Sequence, residues 1–356
     1  MSRIPAKADD IDAAWLSEAL ADRHPGARVR SVEVIERHEV TNSHAKLRVF
    51  YEEAAGAPET MFCKLLPGDP MRRPLIAESG MGLRESLFYE YLAPGLHMRV
   101  PEVHVVRWDE HDGAFLILME DLTASGCTVS DGPTSVPVDA AAAVLEDLAE
   151  LHCRFEDPAR RKAEVPWVPE PGAPSSYGSD RLRYGLDHHR DKLSDAFAEL
   201  SELYIAKQAA MHAVWDAAPK TVIHGDTHIG NVFFDHGRVG FLDWGIINVN
   251  TPLRDASYFI CMSLSVEDRR KQERDLLRHY LELRSARGGS EISFDEAWRA
   301  HRLQSAYLVP ASCQVVTFPE DASERRKVFA AAFLARAEAA IQDLEVRDAL
   351  RQYCDL

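Results

Sequence analysis

Residues 221–245, TVIHGDTHIGNVFFDHGRVGFLDWG, constrain this 356-residue chain more than any other stretch. Val232-Phe233-Phe234 is apolar, Asp235-His236-Gly237-Arg238 is turn-like, and Val239-Gly240-Phe241-Leu242 is apolar again. Two short apolar runs around a glycine-containing turn predict a β-hairpin. A hairpin returns the chain to where it started. Asn231, before the first strand, and Asp243, after the second, are therefore expected near each other. Asp226 precedes Asn231 in a short loop that opens with His224-Gly225. Two carboxylates and a carboxamide offer hard oxygen ligands of the kind that suit Mg²⁺, which uses few protein carboxylates and leaves room for phosphate oxygens. Phosphoryl transfer needs such a set, because its transition state asks the protein mainly for positioning and charge neutralisation.

A second constraint lies upstream. Lys64 is a lone charge in the apolar strand candidate 60–66. By itself it reads as an edge-strand lysine reaching to solvent. Residues 81–92 form a helix candidate with Met81, Phe88 and Leu92 on one face, and Glu85 shares that face. An inward carboxylate needs a partner, since an unpaired buried charge is costly. Lys64 would supply it. Glu78, one heptad earlier on the same face, is the rival for that partnership.

Between and around these stretches the elements come in two blocks. An amphipathic helix is expected over 9–23, with Ile11, Trp15, Leu16 and Leu20 on one face and Asp9 or Asp10 as its cap. Strands are expected over 29–37 and 45–52, then 60–66, 103–108 and 114–119. Residues 123–137 are rich in Ser, Thr, Gly and Pro and read as a loop between lobes. A strong helix follows over 139–155, where His152 adjoins the apolar stripe and reads as a hydrogen-bonded core histidine. Residues 156–180 carry many prolines and read as a long irregular segment, either a wall for a substrate or a surface excursion. Helix returns over 191–217, and 266–356 is mostly helical. Strands first and helices after predict an α+β protein in two lobes, not a doubly wound sheet. No repeat, heptad or low-complexity tail is present.

Composition narrows the function classes. A net charge of −16 argues against a nucleic-acid binder, and solubility explains it better than steering of a cationic substrate does. No segment approaches the ~20 apolar residues of a membrane helix. The opening MSRIPAKADD lacks a signal-peptide core, and the six cysteines are scattered without a C-x-x-C pair. A reduced, cytoplasmic chain without membrane insertion is the expectation.

The spacing from Asp226 to Asn231 equals that between Asp and Asn in the protein-kinase catalytic loop, and Asp243-Trp244-Gly245 stands where that fold places Asp-Phe-Gly. At these residues the chain resembles the aminoglycoside phosphotransferase and choline kinase-like family. That family's signature reads His-Gly-Asp-x-His-x-x-Asn, then an apolar strand and Asp-Trp. Here it reads His224-Gly225-Asp226-Thr227-His228-Ile229-Gly230-Asn231, then Phe241-Leu242-Asp243-Trp244. Glu85-Ser86-Leu87-Phe88-Tyr89 is similar to the family's Glu-x-x-Phe-Tyr helix.

The resemblance implies a bilobal protein-kinase-like fold. Residues 1–122 would form a nucleotide-binding lobe, an antiparallel sheet with one key helix that ends in a hinge. Residues 123–356 would form a larger, mainly helical catalytic and substrate-binding lobe. It implies transfer of the γ-phosphoryl group of ATP to a hydroxyl of a small molecule, with Mg²⁺. Asp226 would be the catalytic base, His224 and His228 its supports or substrate contacts, and Asn231 and Asp243 the metal ligands. Lys64, held by Glu85, would place the phosphates. Met119, Glu120 and Leu122 would border the nucleotide at the hinge, and Asn42 and Ser43 would cover its phosphates. The connection 39–44 departs from the pattern, because it contains no glycine where kinases carry a glycine-rich loop. The family has an Arg-Asp pair near Arg254-Asp255, where the Asp either steadies the catalytic loop or caps the next helix. Family members act on aminoglycosides, choline, other amino alcohols, sugars and lipophilic alcohols. Two other readings stay open. One is a nucleotide-binding module without catalysis, and the other is a metallohydrolase built on His224-x-Asp226-x-His228, which would need further ligands. Oligomeric state is open as well.

Overall fold

The computed structural model describes residues 3–39, 41–216 and 219–356. Val40, in the connection 39–44, and Ala217, at the end of the helix expected over 191–217, lie outside the described residues. Packing divides the chain into two units. The first comprises Met1–Val129, Phe233–His236 and Gly240–Ile246, and the second Ser130–Val232, Gly237–Val239 and Ile247–Leu356.

The first unit is built on a five-stranded antiparallel sheet. Its strands are β1 (Arg28–Glu39), β2 (Ser43–Glu53), β3 (Thr60–Leu65), β4 (Val103–Trp108) and β5 (Phe115–Glu120), in the order β1-β2-β3-β5-β4. Side chains alternate between the two faces of a strand. One face carries Ala45, Leu47, Met61, Cys63, Leu65, Leu116 and Leu118, and it packs with Leu16 and Leu20 of α1 (Ala13–Leu20). The other carries Phe62, Lys64, Ile117 and Met119. β5 is buried on both faces, which is why it reads as an unbroken apolar run, Phe-Leu-Ile-Leu-Met.

α1 is shorter than the periodicity of 9–23 suggests. Its cap is Asp12, whose carboxylate accepts the Trp15 N–H at 2.8 Å, while Ala8–Asp10 form a separate 3₁₀ turn. Two helices follow β3, α2 (Arg72–Glu78) and α3 (Met81–Leu87). Gly80 separates them with a left-handed φ of 68°, and that break puts Glu78 on a different, exposed helix from Glu85. Past Leu87 the chain loosens into a π-turn, Phe88–Leu92. Gly82 is what lets α3 approach the sheet: a Cβ there would stand 2.0 Å from the Phe115 ring.

The stretch 123–137 contains a short strand, β6 (Thr128–Val129), which pairs with Phe233 and Phe234. The expected hairpin is β8 (Val232–Asp235) and β9 (Arg238–Phe241), preceded by β7 (Thr221–Ile223). Its two turn residues, His236 and Gly237, have φ of 48° and 92°, and positive φ at both central positions marks the turn type that matches strand twist. β10 (Asn248–Asn250) pairs antiparallel with β7.

The second unit is mainly helical. Its helices are α4 (Val138–Arg154), α5 (Pro158–Glu164), α6 (Ser176–His189), α7 (Asp195–Trp215), α8 (Pro252–Ser263), α9 (Val266–Ala286), α10 (Phe294–Gln304), α11 (Leu308–Ala311), α12 (Glu324–Asp343) and α13 (Val346–Cys354). The irregular segment expected over 156–180 therefore hides α5 and the first turn of α6. Asp157 caps α5 through the Ala159 N–H, and Pro158 occupies its first turn, where a missing N–H costs nothing. Its charged sequence shows no apolar stripe, so periodicity missed it. α8 is buried along its whole length, and Tyr258 and Met262 join Phe197, Trp215, Leu308 and Phe333 in one core. Among the described residues no helix is long and apolar enough to cross a membrane.

The close approach at Gly82 can be tested. Alanine favours a helix over glycine by up to ~1 kcal/mol, but a methyl forced against a buried ring costs about 1–3 kcal/mol. Gly82→Ala should therefore lower the urea midpoint without changing the m-value. A midpoint equal to or above wild type would show that α3 does not sit as tightly as described.

Candidate active site

In the first unit three charged side chains converge. Lys64 on β3 and Glu85 on α3 are 5% and 2% exposed, and Lys64 Nζ lies 2.6 Å from Glu85 Oε2. The ammonium also donates to Asp243 Oδ1 at 3.0 Å, and 44% of the Asp243 side chain faces solvent. Glu85 accepts the backbone N–H of Trp244 as well. Burial works against the charge on Lys64, but Asp243 and Glu85 beside it hold its pKa above the usual lysine value. Burial likewise pushes the Glu85 carboxyl upward, with the Lys64 ammonium opposing.

The Trp244 ring is fully buried and stacks on Phe88, with centroids 3.8 Å apart and planes 7° from parallel. Asp243 itself has φ of 58°, a conformation that is uncommon for a residue with a Cβ and that Asp tolerates better than most. Non-glycine residues held in such regions cluster at functional sites.

Beside this triad the sheet face forms a cavity of about 220 Å³. Met119, Glu120 and Leu122 line it, as does Phe62, two residues from Lys64 on the same strand face. Glu120 is tied down by Arg99 Nη2 at 2.8 Å and by the Glu102 N–H at 3.1 Å. Lys46 Nζ bridges Asp121 at 2.7 Å and Thr123 Oγ1 at 3.0 Å at the cavity wall. Asn42 and Ser43 fall outside the lining. They sit at the β1–β2 turn, where Asn42 is buried and Ser43 half-buried.

In the second unit β7 delivers the loop 224–231. Asp255, on α8, holds it from below. Its carboxylate accepts the His224 N–H at 2.7 Å and the Gly225 N–H at 2.9 Å, and its carbonyl accepts the Thr227 hydroxyl at 2.8 Å. The helix is capped by another residue, Thr251. Asp255 therefore steadies the loop and caps nothing. His152 joins the same network through Asp255 at 3.3 Å and the Tyr280 hydroxyl at 2.6 Å.

Inside the loop several polar groups bond to one another. Asn231 Nδ2 donates to Asp226 Oδ2 at 2.8 Å and to the Asp226 carbonyl at 2.9 Å. That leaves the Asn231 carbonyl oxygen as its ligand-type atom. His224 Nδ1 accepts the Asp226 N–H at 3.2 Å. His228 Nδ1 accepts the Gly230 N–H at 2.9 Å, which places the proton of a neutral imidazole on Nε2, 3.3 Å from Asp226 Oδ2. The Tyr258 hydroxyl also hydrogen-bonds Asp226, and burial together with that carboxylate pushes the phenol well above its usual range. Asn231 thus donates to the Asp226 carboxylate, the His228 ring and the Tyr258 hydroxyl stand against it, and 29% of the Asp226 side chain is exposed. Among the described residues no group of three or more His, Cys, Asp or Glu side chains could hold a metal ion.

Several neighbours escaped sequence reading. Phe62 and Lys46 were reachable by counting two residues along a strand from Lys64 and His44. Tyr258 gave no signal, because a tyrosine on a buried helix looks like any other core residue.

The family model of the phosphotransferase enzyme family matches residues 72–292. No curated protein sequence matches. Solved structures share the fold at low identity. A choline kinase from Cryptosporidium parvum Iowa II aligns at a TM-score of 0.54 and 9% identity, over 91% of this chain and 94% of that one. A choline/ethanolamine kinase family protein from Mesorhizobium loti aligns at 0.50 and 18%, over 95% and 98%. A spectinomycin phosphotransferase aligns at 0.50 and 13%, over 94% and 99%. The fold is the bilobal α+β arrangement of the kinase-like proteins, an antiparallel-sheet unit with a mainly helical one. With the signature at 224–244 and a match across more than half its length, the chain belongs to the phosphotransferase enzyme family.

Proposed function

We propose that this phosphotransferase moves the γ-phosphoryl group of ATP to a hydroxyl of a small molecule, with residues 1–122 binding the nucleotide and 123–356 carrying the catalytic loop and the acceptor. The observation that carries the reading is the buried Lys64 ammonium between Glu85 and the half-exposed Asp243. A buried ion pair contributes little net stability, because desolvation offsets the attraction. Its presence next to a cavity lined by Met119, Glu120 and Leu122 argues for a ligand that uses the charge. The spectinomycin phosphotransferase was solved with ADP and spectinomycin. An adenine nucleotide and a small hydroxylated acceptor follow by analogy.

The roles assigned to individual residues are part of the proposal. Lys64 neutralises phosphate oxygens, and Glu85 keeps it aimed. Met119, Glu120 and Leu122 border the nucleotide, and Asn42 and Ser43 lie over its phosphates. Asp226, with Asn231, His228 and Tyr258 against its carboxylate, orients the acceptor hydroxyl and takes its proton. His224 and His228 support the loop.

The donor set also suits Mg²⁺. Asp243 presents an accessible carboxylate and Asn231 a carbonyl oxygen, each a hard oxygen donor of the kind Mg²⁺ takes. When bound, the metal would neutralise charge developing on the phosphates.

Coupled ADP-release assays on a panel of hydroxylated compounds test the reaction class. No acceptor-dependent turnover of ATP across sugars, amino alcohols and aminoglycosides would refute it. Asp226→Ala should cut turnover by at least ~10³-fold, leaving the melting temperature and Mg·ATP affinity near wild type. Asp243→Ala should weaken ATP binding in Mg²⁺ while leaving the weaker binding in EDTA unchanged; equal affinities in Mg²⁺ would remove Asp243 from the metal site. Asp255→Ala strips two buried N–H groups of their acceptor, at about 1–3 kcal/mol each. It should lower stability and activity together, and a variant as stable as wild type would mean the loop is held by something else.

A further inference from the structure

The sheet register sorts the face that carries Lys64 into rows. One row runs His38, His44, Lys64, Ile117, and the next runs Glu36, Lys46, Phe62, Met119. The second row belongs to the 220 Å³ cavity, with all four residues in its lining, and His38 of the first row lines it too. The first row leads from that cavity to the ammonium. His44 stands directly across the strand pair from Lys64, and side chains opposed in this way share a face. Its ring lies 5.2 Å from that of Phe62.

His44 is not used by any interaction of the fold in the way its burial demands. Its Nε2 is buried and finds no hydrogen-bond partner among the described residues. Buried polar groups are nearly always paired, so an orphan of this kind calls for an explanation. Asn42, two residues earlier and 3% exposed, leaves its Oδ1 in the same state. Asn42 sits in the β1–β2 turn and His44 at the start of β2, beside the connection that has no glycine. Glycine-rich loops meet phosphates with bare backbone amides. A turn without glycine keeps its backbone further off and must reach with side chains.

We propose that His44 is a phosphate-binding residue, its Nε2–H donating to the polyphosphate chain of a nucleotide that runs from the Phe62–Met119 cavity along the His38–His44–Lys64 row. The assignment rests on the nucleotide reading above and adds to it a contact that replaces the missing glycine loop. Burial, helped by the Lys64 ammonium, pushes the imidazole down to about 4, so His44 is a neutral donor beside a full positive charge. A neutral group there adds directionality without repelling Lys64.

The test compares ATP, ADP and adenosine on the full-length protein, with His44→Phe to keep the ring and remove the N–H, and His44→Gln to keep a donor. His44→Phe should weaken ATP and ADP by roughly ten- to hundredfold, the range for a hydrogen bond to a charged group. Adenosine should bind within twofold of wild type, and His44→Gln should recover most of the ATP affinity. Without ligand, His44→Phe should melt at or above the wild-type temperature, because it removes an unsatisfied buried nitrogen. If His44→Phe binds ATP as tightly as wild type, or loses ATP and adenosine equally, the inference fails while the nucleotide reading survives. If the wild-type protein binds no ATP and Lys64→Met changes nothing, the nucleotide reading fails and this contact with it.

Discussion

The packing of α3 on the sheet answers to one electrostatic demand, a lysine ammonium almost wholly removed from water. Lys64 is where it is because β3 alternates, and alternation sends its neighbours Cys63 and Leu65 to the opposite, apolar face. A lone buried charge would cost more than the sheet gains from burying one more side chain. Glu85 removes that penalty, and it reaches Lys64 only because α3 can press against β5 at Gly82. The helix break at Gly80, the bare Cα at Gly82 and the carboxylate at Glu85 are thus one device. Each residue makes sense only through the others.

The second unit solves a different problem, how to hold a tight loop that presents the partly exposed Asp226 carboxylate on a rigid base. The solution is a buried carboxylate that accepts backbone N–H groups. Asp255 takes two of them in a row, from His224 and Gly225, at the start of the loop. Above it, polar contacts pass from residue to residue: Gly230 donates to His228 Nδ1, the His228 ring stands 3.3 Å from the Asp226 carboxylate, and Asn231 donates to that carboxylate. Gly230 has a second use here, since a Cβ would come within 2.7 Å of the His228 ring.

The parts legible in the sequence were those governed by short-range rules. The hairpin showed because His236-Gly237 is a turn that strand twist favours, and the runs around it are the right length. Glu85 could be preferred to Glu78 once it was placed on an inward face, although the Gly80 break that decides the matter was invisible as such. Asp255 could not be resolved, because holding a neighbouring loop and capping a helix ask for the same side chain in the same place. α5 and β6 were missed for want of a pattern: one has no apolar stripe, and two residues carry no period. The cavity floor and His44 depend on strand register, which brings together residues that are scattered in sequence. That information exists only after the sheet is assembled.

The stack of Trp244 on Phe88 has a consequence for how this architecture can vary. Two flat rings at van der Waals distance weld the dipeptide Asp243-Trp244 to the far end of the segment that bears Glu85. Neither can be repositioned while the other stays. Drift at one ring is tolerable only with a matching change at its mate, so the pair should be inherited and engineered as a unit. A chimaera that imports this helix from a relative without the corresponding tryptophan stretch would join two halves cut to different gauges.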